Sequence, residues 1–395
     1  MERDGNPWKA LAFSTPATNP AGYYPADNEI VLNLTDIDND TFAGAEVRFG
    51  STLGQCGNYG WEVAYWGLLE ETTTAVVTDL STDANRLYTM IPHTGMFYNG
   101  RSVNDYYEYG PPTANPAGDT IRLRQVTARN SFSMQNLELN FLRFPIRGGG
   151  SYSAPVSGAY GGSRGRGLGR RGGNSAYGAG GCGAGGCGVS SCGGCDTCAG
   201  SSCGTSCCGG GSRFSATGVV GVRYVRIDED FLFRADFDNE TAVTTGFISH
   251  DVDVDSHLVG AQFGCNMLYR MGCSGRWALH CNSVFGIYGN HMEVWNRMDA
   301  PVGGGAVTNN DGSTFDYRYE DDDIAFLGEL RAGASYQYSC NWRLFGGYRM
   351  LGMGGMALAF DQISDQNISA AQTSYVDSDG SIFIHGLQGG VEFTY

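Results

Sequence analysis

Apolar and polar residues alternate with a period of two over much of the last third of the chain. In 258–270, Val259, Phe263 and Tyr269 occupy odd positions, whereas Gln262 and Arg270 occupy even ones. Successive side chains of a β-strand point to opposite faces, so this pattern predicts strands with one apolar and one polar face. Short Gly- or Ser-containing turns, at 272–275 and around 339–341, separate these strands in pairs.

The same pattern, followed along the chain, predicts about twelve strands. They lie near 29–36, 44–52, 59–68, 120–129, 132–145, 213–226, 229–239, 254–271, 275–297, 313–338, 341–361 and 380–395. Short connections, at 53–58, 130–131, 227–228, 272–274 and 339–340, alternate with longer ones at 37–43, 69–119, 146–212, 240–253, 298–312 and 362–379. This alternation is typical of an all-β, closed antiparallel up-and-down transmembrane barrel with short periplasmic turns and long outer loops.

The chain then divides into four parts. These are an N-terminal extension (1–28), the first part of the barrel with strands one to five (29–145), a low-complexity outer loop (146–212), and the second part of the barrel with strands six to twelve (213–395). In this division the first strand (29–36) pairs with the last (380–395) and closes the barrel.

Alternation alone also fits a soluble sandwich. Two features favour a membrane: the predicted strands are long, and aromatic residues cluster at their ends beside the turns, as in aromatic girdles. These residues are Tyr269, Trp277, Tyr336, Tyr338, Trp342 and Tyr395. No apolar run reaches the roughly 18 residues that a spanning helix needs. A membrane protein with this sequence would therefore be a closed barrel, because lipid offers no partner to an open sheet edge.

The composition agrees with β-structure and argues against one class of partner, nucleic acid. The 61 glycines, 22 tyrosines and 20 phenylalanines stand without helical runs of Ala, Leu, Glu and Lys. A net charge of −16 argues against a nucleic-acid partner, which would require a basic face. Residues 1–20 contain no apolar segment typical of a secretory signal, so either the true start is missing or the protein is not exported. We expect the first, and an outer-membrane location.

Three stretches carry a resemblance to a known family: GVRYVRIDEDFLF (221–233), WRLFGGYRML (342–351) and GLQGGVEFTY (386–395). With Ile30–Leu34, Gly44–Gly50 and Gly60–Leu68, they resemble the planctomycete family of porin-like outer-membrane β-barrel proteins. The resemblance covers most predicted strands and implies a fold and a location, without a defined activity. The alternating Val391, Phe393 and Tyr395 resemble the signal read by barrel-assembly machinery, so we expect that machinery and the lipid bilayer as partners.

The polar face of the predicted strands forms the lining of the barrel. It contains Arg48, Arg122, Arg124, Arg223, Arg234, Arg270, Arg331, Arg343 and Arg349, together with Glu46, Glu62, Glu138, Glu329 and Glu392. Two interpretations compete. Arg and Glu pair into a network that plugs the lumen, or the excess of arginine lines a water-filled pore that favours anions.

Eight of the thirteen cysteines lie in the Gly/Ser-rich stretch 146–212: Cys182, Cys187, Cys192, Cys195, Cys198, Cys203, Cys207 and Cys208. In an oxidising compartment we expect disulfides, within or between chains, so that a disulfide-linked or homo-oligomeric neighbour is a further expected partner. The alternatives are that these cysteines stay unpaired and have no role, or that they bind a metal. The irregular spacing and the lack of His weaken the zinc interpretation. Cys265 and Cys281 sit opposite each other in one hairpin as small apolar fillers.

The remaining chemistry is sparse. Acidic stretches such as Asp251, Asp253 and Asp255 have a DxDxD spacing that can collect calcium, but without the Gly and distal Glu of an EF-hand loop they indicate a solvated acidic rim. The six histidines accompany no nucleophile motif, so we expect no catalytic residues, no cofactor and no metal. The prediction is an outer-membrane barrel acting as a porin-like passive channel with an Arg-rich lumen. The alternative is a structural envelope protein with a plugged lumen, cross-linked through its Cys-rich loop.

Overall fold

The computed structural model describes residues 2–4, 10–16, 29–37, 41–53, 59–79, 85–89, 91, 93, 95–106, 121–144, 213–239, 244–271, 275–300, 306–363 and 376–394. Over these residues the fold is all-β, with one short 3-10 turn (Leu34–Asp36) and one helical turn, α1 (Val103–Tyr106). The strands are β1 (Glu2–Asp4), β2 (Ala10–Pro16), β3 (Glu29–Asn33), β4 (Gly44–Leu53), β5 (Tyr59–Thr78), β6 (Asn85–Thr89), β7 (Met96–Tyr98), β8 (Arg101–Ser102), β9 (Ile121–Arg143), β10 (Phe214–Asn239), β11 (Thr244–Met271), β12 (Trp277–Asp299), β13 (Thr308–Asn309), β14 (Asp316–Gln337), β15 (Trp342–Met356) and β16 (Gly380–Phe393). Neither helical segment of this part of the chain has the length and apolar character to cross a bilayer.

Ten of these strands form one antiparallel sheet in the order β1-β16-β15-β14-β12-β11-β10-β9-β5-β4. Its ladders are long: β10 pairs with β11 from Phe214↔Tyr269 to Asn239↔Thr244. Two small sheets, β3-β2-β6 and β13-β7-β8, contribute buried residues to a cluster shared with one end of the main sheet. The all-β antiparallel architecture predicted from the alternation is therefore present in the described residues.

Two predicted turns are absent, because the chain continues through them as strand. Residues 130–131 lie within β9 and 227–228 within β10, and Asn130 and Ser131 pair with Phe231 and Asp230. Of the residues predicted as turns, Ser131 and Asp228 face outward, on the face where Arg129 Nη2 lies 2.9 Å from Asp230 Oδ1. Asn130, opposite the buried Phe231, and Ile227 have the inward parity. Four predicted strands therefore merge into two, and most of the predicted loop 240–253 is the beginning of β11.

The predicted closing pair is also wrong. Segment 29–33 pairs with β2 in a separate sheet, because its backbone partners are Ala10–Ser14. The last strand, β16, pairs instead with β15 and with Glu2–Asp4. Nine strands of ten residues or more, plus β1, make up the main sheet in the described ranges, and the predicted twelve are not confirmed.

The main sheet has two distinct ends. The end that carries the short connections 54–58, 272–276 and 338–341, and also Phe393, is here called the turn end. Tyr59 pairs with Arg143, and Phe214 pairs with Tyr269, so the flanks of the Cys-rich stretch lie at this end too. The opposite end, the far end, carries the connections 79–120, 240–243, 300–315 and 357–379. The strict alternation of short and long connections thus fails at 144–213. The reason is that β9 and β10 are each one continuous strand, whereas each was predicted as two strands joined by a short turn.

The polarity of the main strands reverses along their length. In the turn half (44–53, 59–69, 135–143, 214–224, 258–271, 277–289, 324–337, 342–356 and 380–393) outward residues are apolar and exposed, such as Val222, Phe263 and Phe285. In the far half (70–78, 121–134, 225–239, 244–257, 290–299 and 316–323) the inward residues are apolar and buried, such as Phe231 and Val252. The outward residues there are charged, such as Arg226 and Asp228.

Aromatic residues mark the turn end on the outer face. Those that are exposed there include Tyr59, Phe214, Tyr269, Trp277, Tyr338, Trp342 and Phe393. Amphipathic rings concentrate at the water interface of transmembrane barrels. This row therefore matches the girdle expected from the sequence for Tyr269, Trp277, Tyr338 and Trp342.

Glycines let strands β14 and β15 approach closely. Gly333 faces Gly347, and a Cβ on Gly347 would lie 2.4 Å from the carbonyl oxygen of Ala332. No side chain fits at that distance, so the paired glycines of the WRLFGGYRML stretch maintain the backbone packing here.

Candidate functional site

An ion-pair network occupies the interior of the turn half. It consists of four arginines and four glutamates, so its formal charge is zero: Glu46, Arg48, Glu62, Glu138, Arg223, Glu329, Arg331 and Arg349. These residues come from β4, β5, β9, β10, β14 and β15. Each occupies a position of the inward parity, because side chains alternate between the faces along a strand.

Glu329 is the centre of the network. Arg223 Nη1 lies 2.8 Å from Glu329 Oε2, and Arg349 Nε lies 2.9 Å from Glu329 Oε1. Arg331 also contacts Glu329 and approaches Glu138 Oε1 at 3.7 Å. The side chain of Arg223 is 0% exposed and that of Glu329 is 3% exposed. Charges removed from water this completely are tolerated only when they are paired and hydrogen-bonded.

Neutral side chains complete the network around Glu138. Asn136 and Asn140 donate to its carboxylate at 3.0 and 3.1 Å, and Trp66 Nε1 donates at 3.3 Å. The guanidinium of Arg349 lies 3.5 Å from the Trp66 ring centroid, which adds a cation–π contact. The carboxylate thereby gains the additional donors that burial demands.

The network also connects strands that are not ladder neighbours. Glu46 lies on β4, at one edge of the sheet, whereas Arg349 lies on β15, near the other edge. Arg349 Nη1 is 3.2 Å from Glu46 Oε2, and Arg331 Nη1 is 3.4 Å from Glu46 Oε1. The sheet is therefore curled so that its two edges approach each other around the network.

An apolar layer lies next to the network on the side of the far end. It contains buried residues from each main strand between β16 and β5: Trp66, Leu68, Phe132, Met134, Val225, Ile227, Leu258, Tyr288, Ala325, Leu327, Leu351, Met353, Ile382 and Ile384. Beyond it, the larger cluster of the far half includes Phe231, Phe233 and Val252, packed with residues of the small sheets. Side chains thus fill the described interior of the far half.

A cavity of about 650 Å³, here called the chamber, lies on the other side of the network. Its charged lining comprises Glu46, Arg48, Arg331, Arg343, Arg349 and Glu392. Arg343 Nε donates to Glu392 Oε2 at 3.0 Å. Residues of β16 next to the turn end, including Gln388 and Phe393, contribute to the lining, so the chamber lies toward the turn end.

The structure brings together most of the residues predicted to line the lumen. Arg48, Arg223, Glu329, Arg331 and Arg349 belong to the network, as do Glu46, Glu62 and Glu138. Arg343 and Glu392 border the chamber, and Arg270 is half-buried at the turn end. The contacts that hold the network together across the sheet were not predictable from strand parity alone.

Three of the predicted lining residues lie on the outer face instead. Arg234 pairs with Asp236 at 2.7 Å, Arg122 pairs with Asp79 at 3.0 Å, and Arg124 pairs with Asp238. Arg234 was assigned inward because a turn was predicted at 227–228, whereas the unbroken β10 keeps odd residues inward. For Arg122 and Arg124 the cause is a register shift opposite Asp236/Phe237, which turns Leu123 inward.

The predicted cysteine cluster, Cys182 to Cys208, and Tyr395 lie outside the described residues. Within them, Cys265 and Cys281 are free and half-buried, and Cys340, between β14 and β15, is disulfide-bonded. The DxDxD run Asp251, Asp253 and Asp255 lies along β11. No group of His, Cys, Asp or Glu in the described part of the chain is arranged to hold a metal ion.

Two features of the far half were missed by the sequence analysis. His93 Nε2 lies 3.2 Å from His250 Nδ1, and His250 Nε2 lies 2.7 Å from Asn296 Oδ1. Burial lowers the pKa of His93 well below its usual value and that of His250 to about 4, so both imidazoles are neutral near pH 7.

On the outer face, partial burial and the neighbouring Asp230 raise the pKa of Asp253 to about 6. Asp230 stands directly opposite Asp253 in the ladder.

Comparison with known protein families gives a match over the second half of the chain. A family model described as "Putative beta barrel porin-7 (BBP7)" matches residues 184–395, more than half of the chain. No curated protein matches the chain.

Proposed function

The chain belongs to the beta barrel porin-7 family, and on that basis we propose that it is a porin-like barrel of the bacterial outer membrane whose lumen is closed by its own side chains. In this proposal the protein serves the envelope as a structural barrel and catalyses no reaction. In this proposal the barrel closes around the ion-pair network, and the contacts of Glu46 on β4 with Arg331 and Arg349 across the interior support it.

The observation that carries the closed lumen is the stacking of the network and the apolar layer. An aqueous pore requires a continuous polar path, but Leu258, Leu327 and Met353 are at most 4% exposed and lie in the same layer as Phe132 and Val225. Of the two lumen interpretations left open by the sequence, the plugged one has this support.

The exterior of the turn half supports a position in the bilayer. Along β12, the outward residues Trp277, Leu279, Phe285 and Ile287 are exposed, and Glu293 follows on the same face. The eleven residues Trp277–Ile287 span about 36 Å along the strand at ~3.3 Å per residue, or about 28 Å of height at a tilt of ~40°. An apolar band of about 25 Å is typical of outer-membrane barrels.

The closed lumen is tested by conductance in a planar bilayer. We expect the purified protein to show no porin-sized steps, whereas Leu327→Ala with Met353→Ala, which thins the apolar layer, raises conductance. Phe326→Ala, at the outward neighbouring position, is the matched control. Folded protein is verified for each variant by heat-modifiable migration on a gel.

The second candidate, a passive channel, is favoured by the chamber, whose arginines could receive an anion entering from the turn end. Porin-sized steps from the unmodified protein would support it and refute the closed lumen. Anion over cation preference in those steps would assign the selectivity to Arg331, Arg343 and Arg349, which border the chamber.

Orientation follows from the turn end. Short turns of outer-membrane barrels face the periplasm, so we propose that the turn end, and with it the entry and exit of the Cys-rich stretch, is periplasmic. This replaces the outer position predicted from the sequence. The disulfide at Cys340 is consistent with an oxidising compartment such as the periplasm.

Epitope insertion tests the orientation. We expect an epitope between Gly180 and Gly181 to bind antibody only after the outer membrane is permeabilised. The same epitope between Gly303 and Gly304, in a connection at the far end, should bind on intact cells. The opposite result would invert the orientation. Recognition of Phe393 and Tyr395 by barrel-assembly machinery, and disulfide-linked neighbours, stay predictions.

A further inference from the structure

The floor of the chamber is a row of side chains that the ladders place next to one another on adjacent strands. Asn266 on β11 pairs with Asn282 on β12, and Asn282 pairs with Arg331 on β14. Arg331 in turn pairs with Arg349 on β15. All of these side chains border the chamber. The floor therefore presents two carboxamides and two guanidinium groups, each of which can donate hydrogen bonds.

The next inward row toward the turn end leaves space above this floor. His280 pairs with Gly333, and Gly333 pairs with Gly347, so two adjacent positions of that row have no side chain. Gly333 and Gly347 are two residues from Arg331 and Arg349 on their strands, and thus on the same face. The two guanidinium groups stay accessible from the turn end for this reason.

The donors of the floor are not all used. The side chain of Arg349 is 3% exposed, yet its Nη2 has no hydrogen-bond partner among the described residues. Its Nη1 and that of Arg331 share one carboxylate, Glu46, at 3.2 and 3.4 Å. A buried donor without a partner is costly, because it has lost its hydrogen bonds to water. A further negatively charged acceptor in the chamber removes that cost.

The lining of the chamber favours an anion with an apolar part. Four of its six charged residues are arginines and two are glutamates, so the lining has a formal charge of +2. The network as a whole is neutral, which favours a single negative charge on the ligand over several. Leu268 and Phe345, nearer the turn end, also border the chamber. A ligand with its charge on the floor therefore meets apolar side chains above it.

We propose that the chamber is a binding site, entered from the turn end, for a small organic acid with one carboxylate and an apolar body. The carboxylate accepts hydrogen bonds from Arg349 Nη2, Arg331 and the amide of Asn282, since guanidinium forks match carboxylate geometry. The apolar body packs against Leu268 and Phe345. The volume of about 650 Å³ is typical of small-molecule pockets. This inference rests on the proposed closed lumen, because a chamber that ends at the network and the apolar layer retains its ligand.

Equilibrium dialysis of the full chain in detergent micelles tests the site, with radiolabelled phenylacetate as the probe. We expect saturable binding of phenylacetate and none of phenylacetamide, which has the same ring without the charge. Asn282→Leu should weaken binding roughly tenfold, the effect of losing one hydrogen bond to a charged group. Ser283→Leu, at the neighbouring exposed position of β12, is the matched control and should bind as the unmodified protein does. Heat-modifiable migration verifies that each variant is folded.

Glu46→Gln gives a change in the opposite direction. It removes the carboxylate that Arg331 and Arg349 share, so phenylacetate should bind roughly tenfold more tightly. A variant that only damaged the fold would bind less. Equal uptake of acid and amide, equal affinity in Asn282→Leu and Ser283→Leu, or binding to Glu46→Gln that is no tighter than to the unmodified protein would each overturn the proposal.

The closed lumen is tested separately from the binding site. Porin-sized conductance steps refute the closed lumen whether or not phenylacetate binds. A chain that shows no such steps and takes up no phenylacetate keeps its closed lumen and loses only the proposed site.

Discussion

The turn half and the far half of the main sheet use the same strands with opposite chemistry. In the turn half, β10 presents Val220 and Val222 outward and buries Arg223 inside. Eight residues further along the same strand, Phe231 is buried inside and Asp230 faces outward. The strand parity does not change between the two, so the difference lies in the solvent that each half meets. In the proposed barrel the first half faces lipid around a polar interior, and the second faces water around an interior that is mostly apolar.

This contrast shows that alternation alone does not indicate a membrane. Both halves alternate, and only the identity of the outward residues separates them. Within β12 the change occurs between Ile287 and Glu293, over three periods of the alternation. The predictions below test the contrast, each with a partner from the other half or the other face.

The largest expected effect is the loss of a buried charge. Arg223→Ala removes the guanidinium that pairs with Glu329 at 2.8 Å and approaches Glu138 at 3.9 Å. The network then holds four glutamates and three arginines inside the turn half, so one buried negative charge is uncompensated. Removing one member of a buried ion pair typically costs about 3–5 kcal/mol of unfolding free energy. Arg226→Ala, on the outer face of the same strand, removes half-exposed pairs with Asp228 and Asp255 and should cost about 0–1 kcal/mol. Urea unfolding in lipid vesicles measures both, and similar costs would mean that the network is not buried.

The second effect concerns the outer faces of the two halves. Phe285→Arg places a charge in the apolar band and should cost about 2–4 kcal/mol near its middle. Glu293→Arg, on the same face of β12 in the far half, should change stability by less than about 1 kcal/mol. The same unfolding measurement applies. A comparable loss for both variants would place the far half in lipid as well.

The smallest effect is a pH dependence in the far half. The pKa of Asp253 is raised to about 6 from its ordinary 3.8. The folded protein therefore holds this proton more tightly, and its contribution to stability is complete below pH ~4 and is lost as the pH rises through 6. After solvent screening we expect a fall of less than about 1 kcal/mol between pH 4 and 7.

Asp253→Asn should remove this contribution, so the unfolding free energy of the unmodified protein relative to the variant should fall by less than about 1 kcal/mol between pH 4 and 7. The two proteins are compared with each other because buried His93 and His250, whose pKa values are lowered, change the stability of both alike in this window. Asp316→Asn is the control, because Asp316 faces Arg297 across the ladder rather than another carboxylate. Unfolding curves at pH 4, 5, 6 and 7 make the comparison, and a difference between Asp253→Asn and the unmodified protein that stays constant over the window would contradict the prediction.

The sequence predicted the turn half better than the far half. Where outward residues are Val, Phe and Leu, the contrast with Arg and Glu on the other face is strong, and Arg223, Glu329 and Arg349, which were assigned to the polar face, are buried. In the far half the polar run around Asn130 and Ser131 was interpreted as a turn, because polar residues inside a strand are a turn signal when no structure shows their partners. Assigning a separate strand to 229–239 then misplaced Arg234.

Long-range contacts lay beyond the sequence pattern. The pairing of Glu46 with Arg349 joins residues 303 positions apart, and the contact between His93 and His250 joins residues 157 positions apart. Neither leaves a local periodic signal. The position of β3 in a separate sheet was unpredictable for the same reason, because the sequence pattern of β2 does not show that it pairs with β3.

The inversion of polarity within single strands has a consequence for fidelity of assembly. A β-strand that pairs one residue out of register turns every side chain to the opposite face. For β10 such an error would put Arg223 into lipid and, at the same time, Phe231 and Phe233 into water. An ordinary barrel strand would incur only the first of these penalties. In the proposed barrel, a register slip in any long strand is therefore destabilising in both halves, because the turn half then exposes charges to lipid and the far half exposes apolar side chains to water. No part of a slipped strand is as stable as in the correct register.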